Sequence, residues 1–514
     1  MAATLSNGTS SLGSREERTL FCRDLPSLPL PGAGKILVTG ASGYIGGRLV
    51  PELLARGYKV RVMVRANAPA YEDLWPDAEI ISADASELDQ LRFALKEIDT
   101  AYYLIHSLLL GSREFTAADI KAAINFRIAA EENRLNRIIY LGGLGDARSK
   151  LSSHLRSRIQ VADELKKGKV PVTTLRAAII IGSGSASYEI IQHLVKNLPV
   201  IPIPRWAMNK CQPIGIRDVI KYLVGVLEIP ETSGESLDIG GKDILSYYEM
   251  LKIRAELLDK KRLFVPFFSF IPLYSYLGGL ATPVPAPITR SLMEGLKNEV
   301  VCQNNKIRQY LPFEPLGYRE AIVRAMDREE QDLVHTRWSD AYPPAHELAI
   351  KLHELKGKPA YTCTYALLTK KDAPSLFRCI CTIGGKEGWF SNNWIWRLRG
   401  TIDRILLGVG AARGRKSQTT LRVNDVIGFW RVEELQGNIR LLLRAEMKLP
   451  GKAWLEFSIQ DEGEEMRLSI TAHYYPRGLS GKLYWFAFLP FHEFLFNDLI
   501  KQIEARSVSS VMNP

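Results

Sequence analysis

Little in this sequence points to metal or disulfide chemistry. Its 514 residues contain six cysteines (Cys22, Cys211, Cys302, Cys363, Cys379 and Cys381), and they are scattered. Cys379 and Cys381 match neither a zinc-ligand spacing nor a CxxC redox pair, and a strand would put both thiols on one face. A reducing, cytoplasmic setting is expected. No low-complexity tract interrupts the chain, and no lysine–arginine block of the nucleic-acid-binding type occurs, so no nucleic-acid partner is expected.

Long apolar runs are nearly absent as well. Residues 263–281 (LFVPFFSFIPLYSYLGGLA) are uncharged, but Pro266 and Pro272 break the run and Gly278 and Gly279 weaken it. Two mid-run prolines argue against a spanning helix. Buried irregular structure or an apolar lip beside a ligand cleft is the expectation, with peripheral membrane contact the lesser reading. Residues 1–33 lack the continuous apolar core of a secretory signal, and Glu16 and Glu17 argue against a transit peptide. A flexible leader is expected there.

What is present has the composition of a folded chain, 46% hydrophobic and 24% charged. At this length two or three domains are expected. The formal charge of +11 suits anions, whether phosphate cofactors or acidic lipid headgroups, without choosing among them.

Residues 35–65 read KILVTGASGYIGGRLVPELLARGYKVRVMVR. An apolar run at Ile36, Leu37 and Val38 leads into three spaced glycines, Gly40, Gly43 and Gly46. A helical pattern through Leu49, Leu53 and Leu54 follows, stops at Gly57, and gives way to a second β-type run. This is the βαβ size and order of a dinucleotide-binding unit. Glycine at 40 permits a tight reversal, at 43 close approach to a pyrophosphate, and at 46 close helix–strand packing. The helix N-terminus then faces the phosphates. Gly40, Ser42, Gly43, Tyr44, Ile45 and Gly46 are therefore the candidate cradle. The second strand ends in Arg65, where a cofactor without a 2′-phosphate would want a carboxylate. A guanidinium suits the phosphate, so NADP(H) is favoured over NAD(H).

Strand and helix patterns continue to alternate to about residue 143, predicting an α/β, doubly wound parallel sheet. TGASGYIG, the Ala83-Asp84 pair after the third strand, AYYLIHS, Asn125, IIYLGGLG, Leu175-Arg176 and QPIGIRDVIKYL carry a resemblance. Together they resemble the atypical, extended short-chain dehydrogenase/reductase family, of NmrA or epimerase type, over about residues 34–330. The resemblance implies that Asp84 and Ala85 flank the adenine and that Ile105 and His106 line the cofactor. It also implies that Gly142 and Gly143 lie beside the nicotinamide, and that residues 235–243 close over the substrate.

One departure matters. The family's usual Tyr-x-x-x-Lys pair is missing, and the segment after the fifth strand reads LSSHLRSR. His154 and Arg158 keep the four-residue spacing, which puts them on one helical face, and Ser153 or Ser152 could replace the missing hydroxyl. Histidine can move a proton near neutral pH, and arginine can hold an anion but cannot act as a base. These are the candidate catalytic residues. Tyr102, Tyr103 and Tyr140 lie within strands and are expected in the core.

The texture changes near residue 331. Five β-type runs, a tryptophan-rich helical segment at 389–403 and a final amphipathic helix at 490–503 follow. The final helix places residues 491, 494, 495, 499 and 503 on one face, with Pro490 near its first turn. This order resembles the helix-grip fold of START-like and polyketide-cyclase-like domains. The motifs GGKEGW, DVIGFWR, LPGKAWL and PRGLSGKLYW resemble an uncharacterised bacterial domain fused behind such reductase-like modules, over about residues 335–507. Its aromatics are expected to fill a core. Arg397, Arg399, Arg413 and Arg415 are expected to be solvated or paired, or else to bind an anion. Overall, the reading is an NAD(P)(H)-binding protein whose partner is a small apolar carbonyl compound, a lipid or a quinone. The alternative is a non-catalytic NADP(H)-binding sensor or assembly protein with a lipid-binding C-terminal domain.

Overall fold

The computed structural model describes residues 20–507, apart from 66–68, 107–113, 146–151, 269, 331–335, 342–350, 356–358, 386, 412, 414 and 418. A seven-stranded parallel sheet forms the N-terminal half. Its strands are β1 (Lys35–Val38), β2 (Lys59–Val64), β3 (Glu79–Ser82), β4 (Thr100–Tyr103), β5 (Arg137–Gly143), β6 (Val172–Ala177) and β7 (Ser236–Ile239). Their order is β7-β6-β5-β4-β1-β2-β3. The order reverses between β1 and β4, and a crevice opens there at the strands' carboxyl ends. Strand residues such as Ile36, Leu37, Val38, Ile138 and Ile139 are fully buried, as expected for a sheet covered on both faces.

Helices α1 (Gly46–Ala55), α2 (Glu114–Glu132) and α3 (Ser153–Lys166) cover this sheet. A second lobe follows, built on α4 (Ala186–Asn197), α5 (Ile271–Ala281) and α6 (Ala286–Gly295). The C-terminal part is an antiparallel sheet of six strands: β8 (Tyr361–Thr369), β9 (Val426–Ile427), β10 (Trp430–Gln436), β11 (Arg440–Ala445), β12 (Gly451–Asp461) and β13 (Met466–Pro476). Their order is β8-β13-β12-β11-β10-β9. Helix α7 (Asn393–Ile405) and the long helix α8 (Gly478–Arg506) accompany it. Trp389, Phe429, Trp430, Phe457 and Trp485 are buried together in the core beneath this sheet, and Trp389 stacks on Trp396 at 4.2 Å.

Several sequence expectations change. The described part of the 1–33 leader is docked: Cys22 N donates to Glu52 at 3.0 Å, Leu30 N donates to the Tyr58 hydroxyl at 2.8 Å, and Cys22 and Leu25 enter the core. Cys379 and Cys381 lie on a helix, Ala373–Thr382, where a two-residue step turns the thiols about 200° apart. All six cysteines are free thiols. The segment at residues 235–243 supplies the edge strand β7. The 263–281 run forms a strand, Leu263–Phe267, and α5, so it is regular, and α5 is exposed along one side.

The last helix begins at Gly478, twelve residues before the expected start, and runs through Pro490. An interior proline costs a helix about 3 kcal/mol. Packing on both sides of it, through buried Trp485 before and buried Leu495 and Phe496 after, holds the helix continuous. Its buried face is Leu495, Phe496, Leu499, Ile500 and Ile503, whereas Phe491 and Phe494 are exposed.

Candidate active site

The glycine loop is built by contacts a larger residue could not make. Gly40 has φ +62°, and a Cβ there would lie 2.6 Å from the Leu104 carbonyl oxygen on the neighbouring segment. At Gly46 a Cβ would lie 2.5 Å from the Gly40 oxygen and 2.6 Å from Ala41 Cα. The loop therefore folds onto itself and onto the end of β4. Thr39 secures the junction: its hydroxyl donates to the Tyr102 carbonyl at 2.9 Å and accepts from Leu104 N at 3.1 Å. Nothing in the sequence marked this threonine, because a clip between two strand ends exists only once the strands are neighbours.

A cavity of about 700 Å³ opens over this loop. Gly40, Ser42, Gly43, Tyr44, Ile45 and Gly46 line one side, and Arg65, Asp84 and Ala85 line the end beyond β2 and β3. Ile105 and His106 face it from the end of β4, and Gly142 and Gly143 from β5. Asn125 on α2 does not line the cavity. Its amide donates to the Ala85 and Ser86 carbonyls at 3.2 and 2.9 Å, and so fixes the shape of the loop that follows β3. A cradle with no room for a Cβ, followed by a helix N-terminus and a cavity of this size, fits a dinucleotide.

His154 and Arg158, on α3, line the same cavity. Ser153 is the first residue of α3, while Ser152 is the N-cap and accepts from Leu155 N at 3.2 Å. Arg158 lies over the Tyr140 ring at 5.1 Å and donates to the Leu141 carbonyl, which anchors its guanidinium to the end of β5. The His154 ring packs against His106, with centroids 5.0 Å apart. His106 Nδ1 in turn lies 3.3 Å from a carboxylate oxygen of buried Asp119. Burial, aided by each other and by the Arg158 charge, pushes His154 well below the usual imidazole range. Burial and Arg158 also lower His106, against the opposing pull of Asp119. Both rings are therefore neutral near neutral pH. His154 Nδ1 is buried without a hydrogen-bond partner among the described residues. Asp119 was missed in the sequence because it sits thirteen residues beyond His106, on a different element.

The remaining wall is apolar. Ile288, Leu292, Met293 and Leu296 come from α6 and its end, Ile190 from α4, and Trp338 from the segment leading to the C-terminal sheet. The small-residue loop before α4 contributes Ser185, Ala186 and Ser187. Residues 199–206 do not line the cavity; Val200–Pro204 form a strand paired in parallel with Leu263–Phe267.

The C-terminal region reaches this site directly. Arg48, buried on α1, donates to the carbonyls of Tyr44 (3.1 Å), Ser183 (2.9 Å) and Thr336 (3.1 Å), joining the glycine loop to the second lobe and the connecting segment. Arg337 pairs with buried Glu189 at 2.6 Å. Asn424 donates to the Tyr71 hydroxyl at 3.1 Å, and Lys416 sits between Asp340 and Asp425 at 3.1 and 3.2 Å. Arg413 and Arg415 are consumed internally, the first by Glu446 and the second by the carbonyls of Cys381 and Thr420, so neither is a free anion site. Among the described residues no group of His, Cys, Asp and Glu could hold a metal ion.

Residues 40–199 match a family model described as NAD(P)H-binding, and residues 357–499 match that of a protein family of unknown function, DUF2867. The chain thus carries an NAD(P)H-binding Rossmann domain and a C-terminal DUF2867 domain. It is 25% identical over 224 residues to a mitochondrial NADH dehydrogenase [ubiquinone] 1 alpha subcomplex subunit 9 of Dictyostelium discoideum, covering 42% of this chain and 61% of that protein. It is 23% identical over 232 residues to a ceramide reductase of Caulobacter vibrioides, covering 44% and 72%. A solved nucleoside-diphosphate-sugar epimerase from Staphylococcus aureus is 17% identical with a TM-score of 0.47, covering 56% of this chain and 99% of that one. The first of these relatives is thus spanned over less than two thirds of its length.

Proposed function

We propose that the chain is an NADP(H)-dependent reductase or isomerase of an apolar carbonyl compound, of lipid or quinone type. The observation that carries this reading is the position of His154 and Arg158, on the wall of the glycine-loop cavity, between Gly142–Gly143 and an otherwise apolar surface. Bound NADPH would supply a hydride. Ser42 and the loop backbone hold its phosphates, and Arg65 takes the 2′-phosphate that distinguishes it from NADH. The apolar wall of α6 and Trp338 selects a substrate with little polarity and excludes water.

His154 is held neutral, so it acts as a hydrogen-bond donor to the carbonyl oxygen, a role open to an imidazole whose pKa is depressed. The fixed charge of Arg158, anchored at Leu141, stabilises the developing oxyanion, which takes its proton from water as the product leaves the site. Asp119 orients His106, and His106 backs His154. The relative named a ceramide reductase supports an apolar substrate of this kind.

The test is a screen of hydrophobic aldehydes, ketones and quinones for NADPH oxidation by the full chain. His154→Ala should lower turnover by about 100-fold or more, and Arg65→Ala should weaken NADPH while leaving NADH binding nearly unchanged. Turnover unaffected by His154→Ala removes the assignment. A second reading, a cofactor-binding protein that performs no turnover, draws on the missing Tyr-x-x-x-Lys pair. Tight NADPH binding with no oxidation by any carbonyl would favour it.

A further inference from the structure

Three helices from distant parts of the chain lie near one another and leave apolar stripes uncovered. On α5, Leu273, Leu277 and Leu280 are exposed at helical spacing while Ile271, Tyr274 and Gly278 face inward. On α7, Trp394 (64% exposed), Leu398 and Ile402 repeat every fourth residue. On α8, Leu479, Leu483, Phe486 and Phe494 form a third stripe, with Phe491 beside it. That last stripe runs about 22 Å along the helix. Arg404 on α7 donates to the Val284 carbonyl at 3.4 Å and to Gly279 on α5, which joins those two helices, and the Arg399 charge on α7 reaches the Tyr484 hydroxyl on α8. An apolar surface of this extent calls for an occupant.

Charge identifies the occupant. Residues 263–293, 388–402 and 466–492 contain no aspartate or glutamate, and exposed Glu493, beside Phe494, is the single carboxylate within the span of the stripes. The same stretches carry Arg397, Arg477 and Lys482, all exposed, and the whole chain carries +11. A second copy docked on this face would bring like charges together. No helix among the described residues is long and apolar enough to cross a membrane. Aromatic and leucine stripes beside cationic side chains are instead the signature of a surface that lies in the headgroup region.

We infer that this face docks the protein, without spanning, on a bilayer that carries anionic lipids. α5 is packed against α6, the apolar wall of the cavity, so closely that a Cβ on Gly279 would lie 2.8 Å from Ala286. The cavity therefore stands one helix behind the membrane face. Docking itself does not depend on the proposed reaction. If that reaction occurs, its substrate enters from the bilayer.

The test is co-sedimentation of the full chain with vesicles, either of phosphatidylcholine alone or of phosphatidylcholine with one third phosphatidylglycerol, without substrate. Binding to the anionic vesicles is expected, weakened about tenfold by high salt. The combined variant Leu277→Ser, Leu398→Ser, Phe486→Ser alters only exposed side chains outside the cavity and should bind NADPH as the parent does. It should lose vesicle binding by on the order of 100-fold. Absence of vesicle binding, or binding that the variant retains, overturns the inference. So does a parent dimer that the variant dissociates without any lipid affinity. Equal binding to phosphatidylcholine alone overturns its anionic part. Carbonyl turnover is measured separately, so failure of the reductase reading leaves this result interpretable.

Discussion

Replacing Gly46 with alanine adds one methyl group at the tightest point of the nucleotide loop. Its Cβ would sit 2.5 Å from the Gly40 oxygen, 2.6 Å from Ala41 Cα and 3.0 Å from Ala41 N. All three are backbone atoms of the loop, so no flexible side chain can swing away. Restoring an ordinary contact requires the loop to move by about 1 Å relative to α1, which stretches a hydrogen bond from ~2.9 Å to beyond its useful range. A hydrogen bond to a charged group contributes about 1.5–3 kcal/mol. Losing one to a cofactor phosphate weakens NADPH by roughly 10–150-fold. Alanine's better helix propensity returns up to ~1 kcal/mol at this first helical residue, so the melting temperature should change little. Isothermal titration with NADPH, alongside a thermal melt without cofactor, separates the two effects. Affinity within about threefold of the parent, in a protein that melts normally, would refute the reasoning that the loop's shape holds the phosphates.

Two further outcomes concern the C-terminal domain. Glu446 is buried between Arg413 and Arg431, and their charges hold its carboxyl below the usual range despite burial. Glu446→Gln leaves two buried guanidinium groups facing a neutral amide and should cost about 3–5 kcal/mol, lowering that domain's melting temperature by about 6–20 °C; a scan showing no shift would mean the triad is solvated. Burial lowers His492 from 6.5 to about 4. Above 6.5 folded and unfolded chains are both neutral there; as pH falls below it only the unfolded chain takes the proton, so stability declines toward pH 4 by roughly 2–3 kcal/mol. His492→Phe should flatten that decline in urea titrations, and an unchanged profile would locate the acid sensitivity elsewhere.

The nucleotide half was legible because its signals are local. A strand, three glycines and a helix within thirty residues encode their own geometry, and the packing that forbids a Cβ at Gly46 follows from that short segment, whereas at Gly40 the obstacle is Leu104 on another strand's end. That His154 and Arg158 share one helical face was also readable from their four-residue spacing, whereas packing turned that face to the cavity. Asp119 behind His106, and Thr39 clipping β1 to β4, were not readable, because each partner lies on another element.

In the C-terminal half, strand positions follow from alternation, but the start of the final helix at Gly478 does not. Proline at 490 is a local signal to start a helix, and tertiary packing on Trp485 and Leu495 overrode it. The same packing decided which hydrophobic residues are core and which are surface. Phe491 and Phe494 are as apolar as Leu495 and Leu499, and only their direction relative to the sheet separates them. Short-range spacing alone encodes the dinucleotide loop, the histidine–arginine pair and a second, β-rich domain. Long-range packing brings the segment before the C-terminal domain onto the glycine loop through Arg48 and Thr336, and the domain itself onto Tyr71 through Asn424. It alone also decided that three distant helices share one uncovered apolar face, because contacts between remote segments leave no periodic trace in the chain.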